Sequence, residues 1–287
     1  MLRHRIATPW YMAMKMLRAI RRPQPGFRIL LFHDVVAGDA GEFEKLVEYV
    51  IRHHGTINPG EVGGMAEKLA SGSSSSGNWR APCLFSFDDG FISNSQVAAP
   101  ILEKHGIQAL FFICPELTEL SGQEQRVAIA RNVFNGRVKA NALNHNQRLM
   151  KWEELSCLRA QGHTIGCHGM AHRRLSELGG TQLEHEIIAA ADLMDERLDQ
   201  KTDWYAYAFG DIDSISGEAM ETISSRFQFC RSGIRGLNNA GSTSMSLLAD
   251  SLLPAAPIAY QKLLLEGGVD FRYAAAREQY RKLSQTG

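Results

Sequence analysis

A short apolar run, Pro82-Cys83-Leu84-Phe85, leads straight into Ser86-Phe87-Asp88-Asp89-Gly90, and this junction constrains the chain more than any other stretch. An apolar run of that length entered from a loop reads as a buried strand. Neighbouring side chains on a strand point to opposite faces, so Asp88 and Asp89 cannot serve one site from within it. At the strand end, Gly90 permits a turn closed to other residues, and both carboxylates can swing into one pocket. The carboxyl end of a buried strand is also where open and closed α/β sheets place their chemistry. A solvated turn capping the next helix would use the same three residues.

A second stretch, eighty residues on, bears on that choice: His163-Thr164-Ile165-Gly166-Cys167-His168-Gly169-Met170-Ala171-His172. His168 and His172 are four residues apart, a separation that lets two imidazoles converge on one metal from a helical turn. With one carboxylate they form the two-histidine, one-carboxylate set of open-sided metal sites. Gly169 stands where the zincin pattern has its glutamate, which excludes that pattern.

Ser-Phe-Asp-Asp-Gly followed by His-x-x-x-His resembles the polysaccharide deacetylase family, the carbohydrate esterases with a NodB-type domain. Ile29-Leu30-Leu31-Phe32-His33 and Ala206-Tyr207-Ala208-Phe209-Gly210 are further matches, the latter to the family's third motif, which commonly has proline where Ala208 stands. The matches span roughly positions 28 to 235. The resemblance implies a NodB-like distorted (β/α) barrel of about six or seven mostly parallel strands. It implies Asp88 as catalytic base, and Asp89, His168 and His172 as ligands of one divalent metal, with Zn2+ the leading candidate. Tyr207 is the position matching the main-chain donor to the oxyanion. Two family features are missing. The late Leu-x-x-His motif, which supplies an acid, has no counterpart, since no histidine follows His185; the arginine preceding the third motif is replaced by Asp203, Trp204 and Tyr205. His33, ending the first strand, is the expected substitute acid. Arg231 and Asn238, after a later strand, offer cationic and amide groups suited to phosphate or sugar contacts; an ordinary turn explains them equally well.

Strands and helices alternate independently of the resemblance. Phe27 to Phe32, Ala109 to Ile113, Trp204 to Phe209 and Phe227 to Cys230 read as strands. Glu42 to His53, Ser93 to His105, Trp152 to Ala160, a Leu183-to-Leu198 stripe, Pro257 to Leu265 and Phe271 to Leu283 read as helices. That alternation predicts a mainly parallel α/β sheet. Residues 117–149, rich in Asn, Gln and Arg, are expected to form an insertion over the strand ends. Ser71 to Gly77 reads as a low-complexity surface loop. The chain therefore divides into a basic amphipathic segment, 1–27, and a deacetylase-like domain, 28–287.

Formal net charge is zero, which implies no attraction to nucleic acid. The charges are unevenly spread: seven Arg and Lys residues precede the first acidic residue, Asp34. Residues 9–22 place Tyr11, Met14, Leu17 and Ile20 on one helical stripe beside a cationic face, a pattern that packs on its own domain or makes weak peripheral contact with an anionic membrane. Five scattered cysteines without paired spacing favour free thiols and a reducing compartment, and no secretory signal is legible at the start. The expectation is a cytoplasmic, metal-dependent hydrolase of amide bonds that removes acetyl groups from an N-acetylated sugar, sugar nucleotide or lipid-linked glycan in cell-surface polysaccharide metabolism. Two alternatives stand beside it: a catalytically weak or inactive member that keeps metal and sugar binding, and a metal hydrolase of another small amide.

Overall fold

The computed structural model describes residues 7–20, 25–70, 80–144 and 146–286. The serine-rich stretch and the first six residues lie outside them. Seven strands form one sheet in the order β6-β5-β4-β3-β2-β1-β7, every neighbouring pair parallel. They are β1 (Arg28–Phe32), β2 (Cys83–Phe87), β3 (Leu110–Ile113), β4 (Thr164–Cys167), β5 (Trp204–Ala206), β6 (Phe229–Arg231) and β7 (Ala249–Ser251). A parallel bridge between Arg231 and Leu247 ties β6 to the segment entering β7, so the sheet curls into a nearly closed barrel.

The helices are α1 (Ala7–Ile20), α2 (Ala40–His53), α3 (Val62–Ala70), α4 (Ala99–Glu103), α5 (Pro115–Glu119), α6 (Gly122–Ala128), α7 (Trp152–Ala160), α8 (Thr181–Glu184), α9 (Ala190–Leu198), α10 (Gly217–Arg226), α11 (Ile258–Leu265) and α12 (Ala274–Thr286). Strand alternation sorts the apolar residues into two layers. Ile29, Leu31, Leu84, Leu110, Phe112, Trp204 and Ala249 meet inside the barrel, with Val62 and Leu69 of α3 against them. Leu30, Phe32, Phe85, Phe87, Phe111 and Tyr205 face outward under the helices, joined by Phe43, Leu46, Val47 and Val50 of α2. The fully buried strands explain why the sequence shows apolar runs here rather than alternation.

Some elements depart from the sequence reading. β7 is missed because its central residue is Asp250, buried against Arg28 (Nη1 to Oδ2, 2.6 Å). Helix α3 is missed because Gly63 and Gly64 depress its helical propensity, and α10 because only Met220 and Ile223 mark its apolar face besides Ala219. The strand expected over 204–209 ends at Ala206; Phe209 has φ of 65°, which no strand accommodates. Helix α1 packs on α11, and the Trp10 indole donates to the Gly268 carbonyl at 2.9 Å.

Candidate metal centre

The parallel topology brings the residues of five strand ends to one rim. His33 follows β1, Asp88 and Asp89 follow β2, His168 follows β4, Tyr207 follows β5, and Arg231 closes β6. The ladder continues one residue past β2, where the Asp88 N–H donates to the Phe32 carbonyl (2.9 Å). The chain then turns through two left-handed residues, Asp89 at φ 68° and Gly90 at φ 73°. A Cβ on Gly90 would lie 2.9 Å from Ile113 Cγ2, so both backbone conformation and space demand glycine. This turn brings both carboxylates to one imidazole: Asp88 Oδ2 and Asp89 Oδ1 lie 3.8 and 3.7 Å from His168 Nε2.

The histidines do not share a helical turn. His168 extends β4 by a residue, and Gly169 at φ 83° starts an irregular loop that ends with His172 at φ 60°. The loop still converges the rings, whose centroids are 5.0 Å apart, and it sets His172 Nε2 3.3 Å from Asp89 Oδ1. One donor atom each from Asp89, His168 and His172 falls within a 4.8 Å span, and all three residues are buried.

Two observations test whether a cation fits. His168 Nδ1 lies 2.6 Å from the Ala206 carbonyl and His172 Nδ1 3.1 Å from that of Asn132. Those carbonyls take the Nδ1–H of each ring, so in the neutral rings Nε2 carries a lone pair aimed at Asp89. Asp89 Oδ1, fully buried, has no hydrogen-bond donor. Acceptors facing acceptors in a dry site are satisfied by a proton or a cation, and the donor set suits a divalent ion.

The electrostatics agree. Burial pushes the Asp89 carboxyl up, but the neighbouring imidazoles of His172, His33 and His168 outweigh it and hold it well below the usual carboxylate range. Burial pushes His168 down to about 4. At His172 burial acts in the same direction, yet the adjacent Asp89 carboxylate wins and raises it.

Asp88 is held by Arg231. The Arg231 guanidinium is 1% exposed; it donates through Nη2 to Asp88 Oδ1 and through Nη1 to the Ser232 carbonyl (3.0 Å), and lies over the Phe112 ring at 4.7 Å. The expectation of an open substrate contact at Arg231 is therefore corrected. Its charge is committed to Asp88, and β6 supplies the cation that the sequence before the third motif lacks. Tyr205, in that place, is buried in the outer core. Asn238 is corrected as well. It is fully buried, its Nδ2 donates to the Leu248 carbonyl (3.0 Å) and its Oδ1 accepts from the Leu248 N–H (2.9 Å). Its backbone pairs with Phe27, just before β1 and away from the rim, so it is a structural residue.

The Tyr207 ring packs against Tyr280, and its hydroxyl donates to the Gly210 carbonyl (3.2 Å), so its side chain belongs to the core. His33 is exposed at the rim, near enough to Asp89 for its charge to stabilise that carboxylate. Sequence reasoning missed three neighbours. Asp34, whose carboxyl burial pushes up, accepts from Ser93 Oγ at 2.6 Å. Phe209 sets its half-buried ring edge-on to His172 (4.7 Å), with the Arg174 guanidinium 4.6 Å above it. Asn132 reaches in from the 117–149 insertion. The third motif already contained Phe209; no local pattern marked Asn132.

A model of the polysaccharide deacetylase family matches residues 80–226, slightly more than half of the chain. The chain belongs to the polysaccharide deacetylase family. A putative polysaccharide deacetylase of Bacillus subtilis, YxkH, is 23% identical over 199 residues, which cover 67% of this chain and 60% of that protein. The chain thus spans about 60% of the length of that curated relative. Among solved structures, the Streptococcus pyogenes deacetylase PplD in complex with acetate superposes with a TM-score of 0.63 at 17% identity, covering 84% of this chain and 98% of that one. IcaB from Ammonifex degensii follows with a TM-score of 0.61 at 18% identity, covering 86% and 99%. These deacetylase likenesses carry the NodB-like barrel.

Proposed function

We propose that this family member is a metal-dependent hydrolase that removes the acetyl group from an N-acetylated sugar of a glycan or glycan precursor, within cell-surface polysaccharide metabolism. The observation that carries the reading is the Asp89, His168 and His172 triad with the Arg231-held Asp88 beside it. The acetate held by the PplD structure is the product such a reaction would release.

A divalent cation, zinc for preference, held by Asp89, His168 and His172 would lower the pKa of a bound water and polarise the acetyl carbonyl. Asp88 takes the proton of the attacking water through the carboxylate that Arg231 orients. The main-chain N–H at Tyr207 is the donor assigned to the developing oxyanion. His33, at the open rim, delivers the proton that lets the amine leave.

We further place the protein in a reducing, cytoplasmic compartment, where sugar nucleotides and lipid-linked glycans are the accessible acetylated substrates. All five cysteines are unpaired, which fits that setting. No helix among the described residues is long and apolar enough to cross a membrane. Met12 and Met16, 49% and 69% exposed on the outer side of α1, support weak peripheral contact with anionic lipid.

The test is acetate release from a panel of acetylated sugars, sugar nucleotides and lipid-linked glycans, read beside elemental analysis. Wild type should carry about one zinc and release acetate, and His168→Ala with His172→Ala should carry none. His33→Gln should lower turnover by ~10²-fold or more at unchanged metal content; an intact rate would move the acid elsewhere, with Asp34 next in line. Sugar binding without acetate release from any substrate would overturn the hydrolase reading.

A further inference from the structure

The loop that carries His172 has no regular secondary structure, yet main-chain groups of Met170, Ala171 and Arg173 are hydrogen-bonded to the elements around it. The Met170 N–H donates to the Glu186 carbonyl (3.0 Å), and the Met170 carbonyl accepts from the Glu116 N–H (3.1 Å). A single carboxylate oxygen, Glu186 Oε1, accepts from both the Ala171 N–H (3.1 Å) and the Arg173 N–H (3.0 Å). Asn132 Nδ2 donates to the Ala171 carbonyl (2.8 Å), and the Asn132 carbonyl receives His172 Nδ1 at 3.1 Å. Gly169 leaves room for this arrangement, since a Cβ there would sit 2.6 Å from Glu186 Oε1.

The two anchors come from distant parts of the chain and share a local geometry. Asn132 lies in a π-helical turn, Ile129–Val133, that ends the helix of the insertion. Glu186 lies in another, His185–Ala189, between α8 and α9. A π-turn adds a residue to one helical turn and redirects the side chains and carbonyls around it, which is why such turns recur at functional sites. Here each turn aims one side chain and one carbonyl at the same five-residue loop, 169–173. Glu186 is 1% exposed, so its carboxylate is desolvated for the sake of two main-chain donors. An unbonded loop with a left-handed histidine would sample many conformations, and most of them would carry His172 away from Asp89.

We infer that Asn132 and Glu186 are positioning residues that hold the 169–173 loop in its ligating conformation, so that metal affinity depends on the two π-turns rather than on the three ligands alone. This rests on the zinc reading above. Outer partners that fix a ligating imidazole are typically worth ~10–100-fold in metal affinity.

The experiment is competition for zinc against a chromophoric chelator, using full-length wild type, Glu186→Ala, Glu186→Gln, Asn132→Ala and Asn132→Asp, each checked for folding in its metal-free form. Glu186→Ala and Asn132→Asp should weaken zinc by ~10–100-fold. Glu186→Gln should recover most of that affinity, because its amide oxygen still accepts both N–H groups. Asn132→Ala should fall between, since the carbonyl facing His172 remains. Asn132 is half-exposed, so its variants decide the matter if Glu186→Ala fails to fold. Wild-type affinity in folded Asn132→Asp and Asn132→Ala would overturn the inference. The metal-free protein gives a second readout, the nitrogen-15 pattern of the His172 imidazole at alkaline pH. It should report a single Nδ1–H tautomer in wild type and a mixture in Asn132→Asp. Wild type that binds no zinc but shows that change would sink the metal reading and leave the clamp standing; an unchanged pattern would sink the clamp.

Discussion

Two of the places where the chain buries charge are built to opposite specifications. At the start of β1, Arg28 bonds Asp250 and Asp270 at 2.6 Å each, and Arg235 approaches Asp250 at 3.3 Å. Two cations meet two carboxylates there. Burial pushes the Asp250 carboxyl up, while the charges of Arg28 and Arg235 pull against it. At the end of β2, Asp88 and Asp89 share a pocket with Arg231 and with His168, which burial keeps neutral. One carboxylate is left over, to be offset by a protonated imidazole or an added cation. A balanced network fastens β7 to β1; an unbalanced one creates demand for a ligand. Desolvation penalises both, so an uncompensated carboxylate that persists in the core points to function rather than to stability.

The comparison can be broken at either end. The largest expected effect is at the unbalanced site: Asp88→Asn should cut turnover by ~10²–10⁴-fold while zinc content stays at the wild-type level, because the variant removes the base and none of the ligands. The loss should fall on kcat more than on KM, and a loss of zinc with it would place Asp88 among the ligands. At the balanced site the expected effect is on folding. Arg28→Met should lower unfolding stability by about 3–5 kcal/mol by stranding Asp250 and Asp270, without altering metal stoichiometry. Equal stability by denaturant titration would show that the network contributes little beyond packing.

Zinc itself should sharpen the contrast. At ~1,000 times its Kd, a single zinc adds about 4 kcal/mol to the unfolding free energy. That gain should vanish on acidification, because His172, which its neighbouring carboxylate pushes up, must shed its proton to ligate. Thermal melts with and without zinc across pH would show it, and a zinc gain that persists in His168→Ala with His172→Ala would locate the ion elsewhere. The smallest effect is expected in metal-free protein. Burial holds His163 and His168 down to about 4 in the folded state, below the ordinary value of about 6.5. The unfolded chain therefore binds more protons between those values, so the stability these residues contribute is complete above pH ~6.5 and is lost as pH falls toward 4. A melting temperature flat across that window would contradict their buried, neutral state.

Much of the barrel could be read from local pattern because β1, β2 and β3 are largely apolar and helices such as α2 carry one apolar face. Phe43, Leu46, Val47 and Val50 are legible as a helix stripe before any fold is known, and all four pack beneath α2. Asp88, Asp89, His168 and His172 were legible because their motifs are local: Gly90 licenses the left-handed turn wherever the strand lies, and the histidine spacing limits how far apart the rings can be. β7 was not legible, since an aspartate in a three-residue strand looks exposed until Arg28, 222 positions away in sequence, is set beside it.

The strand–helix alternation, the carboxylate pair at a strand end and the His-x-x-x-His spacing are all legible along the chain, because they depend on neighbours within a few residues. Only the tertiary structure decided which cation restrains Asp88, that Asn238 is structural, and that the histidine loop is irregular and braced by Asn132 and Glu186. The physical reason is that hydrogen bonds and ion pairs act over a few ångströms whatever the separation along the chain. Arg231 and Asp88 are 143 residues apart, and only closing the barrel brings β6 across to the end of β2.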